Sequence, residues 1–136
     1  SEFGANLVYG QGKTVLIVED DATTRQAVMD SLELLNYQVL AAKNGREALA
    51  LLKARSSEVA LVLSDVVMPE MGGVALLRTL KQRGLSVPFV LMSGHPLTQD
   101  LEDLYEQGLA SWMPKPPNLE RLAEALAEGL KTASAG

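Results

Sequence analysis

The sequence predicts a doubly wound α/β domain, a parallel sheet with helices on both faces, and three observations carry that expectation. Short β-branched apolar runs alternate with longer stretches whose apolar residues recur at helical spacing. The runs Val15-Leu16-Ile17-Val18 and Leu61-Val62-Leu63 do not alternate with polar residues, as central strands covered on both faces require. Five strand candidates interleave with five helix candidates, which implies right-handed crossovers into one three-layer, five-stranded parallel sheet.

The predicted strands cover residues 14–18, 38–42, 60–64, 89–92 and 110–113, and the predicted helices residues 23–35, 46–55, 73–83, 98–107 and 119–131. Asn44 followed by Glu47 is an N-cap with its capping-box partner, and Gly84 and Gly108 are helix stops. In the last helix Leu119, Leu122, Ala123, Leu126 and Leu130 share one face, with Glu120, Arg121, Glu124 and Glu128 outside it. The opening Ser1-Glu2-Phe3 lacks a Met and Glu-Phe is what a common cloning site encodes, so residues 1–12 read as vector-derived or linker, 13–131 as the folded domain and 132–136 as a tail. Gly10-Gln11-Gly12-Lys13-Thr14 suggests a nucleotide loop, but it precedes a strand where such a loop must join strand to helix.

Composition narrows the function classes. With 136 residues, 47% of them apolar and 21% charged, the chain can bury one core without staples. No cysteine and a single histidine, His95, exclude disulfides, thiolate chemistry and a His-based zinc site. A net charge of -5 is the wrong sign for gripping a phosphate backbone, so no direct nucleic-acid contact is expected. No apolar run approaches the roughly 20 residues of a membrane span, and the expectation is a cytoplasmic domain without membrane contact.

Ligands of doubly wound sheets sit at the carboxyl ends of the strands. Those ends supply Glu19-Asp20-Asp21, Asp65, Ser93 and Lys115, while the second strand contributes nothing chemical. Converging carboxylates repel unless a cation sits among them. Mg²⁺ is the economical answer: it takes one or two carboxylates and keeps water or phosphate oxygens elsewhere. Asp20 and Asp65 would be direct ligands, with Glu19 acting through water. A carboxylate beside Mg²⁺ can also be a nucleophile that forms an acyl phosphate, with the Ser93 hydroxyl and Lys115 ammonium holding phosphoryl oxygens. Plainer readings stand beside these: Asp21 before Ala22-Thr23-Thr24 is a helix cap, Ser93-Gly94 a turn, and His95 a loop residue.

The motifs Val15-Leu16-Ile17-Val18-Glu19-Asp20-Asp21, Leu63-Ser64-Asp65-Val66-Val67-Met68-Pro69-Glu70-Met71-Gly72-Gly73, Leu91-Met92-Ser93-Gly94 and Lys115-Pro116 resemble those of response-regulator receiver domains. This is the family typified by the bacterial chemotaxis response regulator, and the resemblance spans about residues 13–130. It implies the flavodoxin-like strand order 2-1-3-4-5. It implies phosphoryl transfer from a phosphohistidine to Asp65, with Mg²⁺ held by Glu19, Asp20, Asp65 and the backbone carbonyl of Val67. Ser93 would be the switch hydroxyl, Lys115 the catalytic ammonium, and the Lys115-Pro116 bond cis. Trp112 stands where many members carry the Tyr or Phe that turns inward with the hydroxyl. Pro114 falls inside the last strand, which this order tolerates because it puts that strand at an edge.

The resemblance therefore implies a two-component phosphorelay switch, not an enzyme in isolation beyond promoting its own phosphorylation and dephosphorylation. Its partner would be a sensor histidine kinase or a histidine phosphotransfer protein, and the unphosphorylated domain would be a monomer. Two alternatives are a pseudo-receiver that only binds partners and a Mg²⁺-dependent phosphatase with an Asp nucleophile. The second is disfavoured because the haloacid-dehalogenase type needs an acid where Val67 stands. No basic recognition helix follows residue 130, so the chain reads as a single-domain regulator or an excised receiver. The lead-in and Met92-Ser93-Gly94-His95-Pro96 resemble the C-terminal receivers of hybrid sensor histidine kinases.

Overall fold

A computed structural model describes residues 8–97 and 100–135. The elements run β1 (Thr14–Val18), α1 (Ala22–Leu34), β2 (Gln38–Ala42), α2 (Gly45–Arg55), a 3₁₀ turn (Ser56–Glu58), β3 (Leu61–Asp65), α3 (Gly73–Gln82), β4 (Phe89–Ser93), α4 (Leu101–Glu106), β5 (Leu109–Pro114) and α5 (Leu119–Ala135). The five strands are parallel in the order β2-β1-β3-β4-β5. The fold class therefore stands as the sequence pattern predicted, and the strand order as the family resemblance implied.

The period of the strands sorts the core into two layers. Leu16, Val18, Val62 and Leu91 bury one face of the sheet under α2, α3 and α4, while Val15, Ile17, Leu63 and Met92 bury the other under α1 and α5. The two-residue alternation is thus present, but both faces are apolar, and this is why the sequence shows unbroken apolar runs.

Several boundaries move. β3 begins at Leu61 and includes Asp65, and β4 includes Ser93, so both residues are the last of their strands. The ladder itself explains this, since Asp65 pairs with Met92 and Ser93 with Pro114. β5 starts at Leu109 and carries a register shift that passes over Ala110, because Phe89 pairs with Leu109 and Val90 with Ser111. Pro114 does lie in the edge strand. Helix α4 is six residues long, shorter than predicted, and Thr98 and Gln99 lie outside the described residues. Asp100 caps it by accepting from the Glu102 N–H, which fixes its start. Helix α5 continues past 131 to Ala135, since no helix breaker stands between them.

Capping follows the sequence. The Asn44 side chain accepts from the Glu47 N–H at 2.9 Å, and Glu47 Oε1 accepts from the Lys43 N–H at 3.0 Å, one residue earlier than a standard capping box. Gly84 and Gly108 end α3 and α4 at φ +68° and +111°. The lead-in ends in contact with the domain: the N–H groups of Gly10 and Gly12 donate to the Leu35 and Asn36 carbonyls at 2.6 and 2.7 Å. Residues 1–7 lie outside the described residues.

Candidate functional site

The carboxyl edge of the sheet is where three strands deliver titratable side chains. Glu19 follows Val15 and Ile17, Asp65 follows Leu61 and Leu63, and Lys115 follows Met113, each continuing its strand's odd-numbered set toward one side of the edge. Lys115 Nζ donates to Glu19 Oε1 at 2.7 Å and to Asp65 Oδ2 at 2.9 Å. The side chains of Glu19 and Asp65 are 1% and 9% exposed and that of Lys115 20%. Its backbone N–H donates to the Ser93 carbonyl at 2.8 Å, which ties the turn after β5 to the end of β4, and the Lys115–Pro116 bond is cis.

Asp20 is exposed beside this pair, and one carboxylate oxygen from each of Glu19, Asp20 and Asp65 lies within 4.8 Å of the others. Three acids against one lysine leave an excess of negative charge at a partly open mouth. Burial pushes the Glu19 carboxyl up; the Lys115 bond and the Asp21 N–H oppose this and the Asp65 charge adds to it, with a raised value as the net. Burial also works against the Lys115 charge, but its bonds to Glu19 and Asp65 outweigh that, and its pKa is raised. An all-oxygen donor set, buried at Glu19 and Asp65 and exposed at Asp20, fits a hard divalent ion such as Mg²⁺ that keeps water on its open side. Among the described residues no N–H donates to the Val67 carbonyl, so that oxygen can serve as a donor too.

Ser93 is buried on the opposite face from Lys115, the face where Trp112 packs beside Leu91, its register neighbour. The Ser93 hydroxyl donates to the His95 carbonyl and accepts from the His95 N–H at 3.3 Å. Its hydrogen bonds are thus spent on its own loop, and His95 contributes backbone only to them. Asp21 is a helix cap: its Oδ2 accepts from the N–H and hydroxyl of Thr24 at 2.8 and 2.6 Å, which holds its pKa down.

Two supports escaped the sequence reading. Arg25 Nη1 donates to the Glu19 carbonyl at 2.8 Å, pinning the acidic turn from the first turn of α1; a cation one helical turn past a strand-end acid cluster is the signal that was there. A Cβ on Gly73 would lie 2.3 Å from the Asp65 carbonyl and 2.8 Å from Leu91 Cδ2, so only glycine lets α3 start this close to the end of β3.

A doubly wound sheet in this order, with an acid cluster and a lysine at its carboxyl edge, is the architecture of a phosphoacceptor class. The family model of the response regulator receiver domain matches residues 15–127, and the chain belongs to that family. It is 36% identical over 118 residues to the sensor kinase CckA of Brucella abortus (strain 2308), covering 87% of this chain and 12% of that protein. It is 32% identical over 112 residues to the sensor histidine kinase RcsC of Escherichia coli (strain K12), covering 82% and 12%. The chain thus spans about an eighth of the length of these relatives. Among solved structures it is similar to the CheY-like receiver domain protein of Methanospirillum hungatei JF-1, with TM-score 0.80, 25% identity and coverage of 92% and 99%. The Vibrio cholerae chemotaxis protein CheY4 gives TM-score 0.77 at 30% identity, with coverage of 88% and 99%. The chain is a receiver domain of the kind used in two-component signalling. Among the described residues no helix is long and apolar enough to cross a membrane.

Proposed function

We propose that Asp65 accepts a phosphoryl group from the phosphohistidine of a sensor histidine kinase or histidine phosphotransfer protein, and that the acyl phosphate alters partner binding. The observation that carries this is the single lysine bridging Asp65 and Glu19 at 2.9 and 2.7 Å within an acid cluster. An Asp65 carboxylate oxygen bonds to phosphorus as the phosphorus–nitrogen bond to the donor imidazole breaks, and the electron pair leaves with that nitrogen. Bound Mg²⁺, held by Asp20, Asp65 and the Val67 carbonyl with Glu19 behind, would neutralise the charge on the phosphoryl oxygens. Lys115 already touches Asp65 and keeps its positive charge, so it can hold a phosphoryl oxygen without a change of protonation. For Ser93 to reach the phosphoryl group its hydroxyl must leave the His95 carbonyl, and this exchange of partners makes it a switch. Trp112, on the same face as Ser93, would repack with it.

Similarity to sensor kinases supports a parent protein of the hybrid sensor histidine kinase type; that this domain is cytoplasmic and monomeric before phosphorylation is part of the same proposal. The deciding experiment is intact mass after incubation with Mg²⁺ and acetyl phosphate, beside Asp65→Asn and EDTA controls. One phosphoryl adduct that needs Mg²⁺ and is lost in Asp65→Asn is the expected result. No adduct from either acetyl phosphate or a phosphorylated histidine protein would leave a module that acts by binding alone.

A further inference from the structure

The loop that carries the Val67 carbonyl is fastened to the N-terminus of α2 by a contact that no local rule requires. Asn44 Nδ2 donates to Glu70 Oε2 at 2.9 Å across 26 residues of sequence. The other end of the same amide is committed elsewhere, since Asn44 Oδ1 caps α2. Glu70 itself holds φ +68°, a left-handed conformation that glycine or asparagine adopts far more readily. It is the centre of a tight turn in which the Met71 N–H donates to the Pro69 carbonyl at 2.8 Å. Strain held by surrounding structure points to a positional role.

The backbone on each side repeats the fastening. The Gly45 N–H donates to the Met71 carbonyl at 2.9 Å, and a Cβ on Gly45 would lie 2.6 Å from that same oxygen. At its far end the loop closes through the Gly73 N–H and the Val66 carbonyl at 3.0 Å. Val67 is therefore carried on a short span fixed at both ends, one end at Val66 beside Asp65 and the other on α2. A glycine at position 70 would relieve the backbone but leave the Asn44 amide without its acceptor. A glutamate accepts the strain and supplies the bond.

We propose that Asn44 and Glu70 form a positioning clamp that sets the Val67 carbonyl relative to Asp65, and so tunes the affinity of the site for a divalent cation. This rests on the phosphoacceptor reading above. The clamp lies outside the acid cluster and touches no ligand; it acts through the loop, as residues that orient metal-bound groups do.

The test uses the full chain, Mg²⁺ titrated by calorimetry, hydrogen exchange at the Gly45 N–H, and the urea midpoint. Asn44→Asp keeps the cap, because aspartate caps as well as asparagine, but turns a carboxylate oxygen toward Glu70. The expected result is Mg²⁺ binding weakened about 10-fold, the low end for positioning groups of this kind, faster exchange at Gly45, and a nearly unchanged urea midpoint. Glu70→Gln alone keeps an acceptor for the Asn44 amide and stays close to the unsubstituted chain. The double variant Asn44→Asp/Glu70→Gln restores a donor–acceptor pair with reversed polarity and should recover both readouts. Added negative charge alone would tighten cation binding, so unchanged or tighter binding in Asn44→Asp overturns the clamp, as does weakening that the double variant fails to recover. If the unsubstituted chain binds no Mg²⁺, the phosphoacceptor reading falls, a result distinct from failure of the clamp.

Discussion

Replacing Lys115 with Met removes the ammonium that bridges the two buried carboxylates while keeping the length of the side chain. Glu19 and Asp65 are 1% and 9% exposed at their side chains, so the variant strands two carboxylates at an interior edge. Removing one partner of a buried ion pair costs about 3–5 kcal/mol. Lys115 is 20% exposed and the mouth is open toward Asp20, which puts the expected loss near the low end, about 3 kcal/mol. At about 4 °C per kcal/mol for a domain of this size, Tm falls by roughly 12 °C. The loss depends on pH in a direction fixed by Glu19. Burial already raises its folded pKa, and loss of the Lys115 bond raises it further. A carboxyl with a raised folded pKa binds its proton more tightly in the folded state, so stability falls as pH rises from the ordinary value through the raised one. The loss should therefore be smaller near pH 4.5 than at pH 7.5. Urea unfolding in EDTA at both values, followed by circular dichroism, measures this. Adding Glu19→Gln in the Lys115→Met background should restore part of the stability at neutral pH, because it removes a stranded charge. A loss under about 1 kcal/mol at pH 7.5, a loss equal at both pH values, or no recovery in the double variant would mean that Lys115 does not hold the two carboxylates in place.

Other consequences follow from the same geometry. Gly73→Ala forces a methyl against the Asp65 carbonyl and Leu91, and should cost about 1–3 kcal/mol while slowing adduct formation with acetyl phosphate; normal stability with normal labelling would show that α3 shifts freely. Tyr37 is buried, its hydroxyl has no hydrogen-bond partner among the described residues, and burial raises its pKa. Tyr37→Phe should therefore stabilise by about 1 kcal/mol in urea unfolding, and a loss of that size would mean that the hydroxyl is satisfied in solution. Because the Lys115 pKa is raised, its stabilisation is complete below the ordinary value of 10.5 and is lost as pH rises through the folded value. Alkaline unfolding should carry that dependence in the unsubstituted chain and lack it in Lys115→Met. Saturating Mg²⁺ at 100 times its dissociation constant should add about 2.7 kcal/mol, and Asp65→Asn should reduce the gain, as thermal melts with and without EDTA would show.

Whatever is local or periodic could be read from the order of residues. Two unbroken apolar runs and the spacing of Leu122, Ala123 and Leu126 define covered strands and an amphipathic helix. Asn44 and Asp21 announce helix starts through side-chain oxygens that can reach an N–H three residues on. Glu19, Asp20, Asp65, Ser93 and Lys115 could be picked out because a parallel sheet places strand ends together whatever its loops do. How those ends meet is set by packing across the sheet. The short bonds of Lys115 to Glu19 and Asp65 depend on strand registers and on a shift at Ala110 that passes unnoticed in the run from Leu109 to Met113. The retreat of the Ser93 hydroxyl to the His95 carbonyl, the reach of Arg25 to the Glu19 carbonyl and the strained Glu70 turn held by Asn44 also left no periodic trace. Periodicity reports which face a residue shares; only the packed chain fixes which polar atoms on that face come within bonding distance.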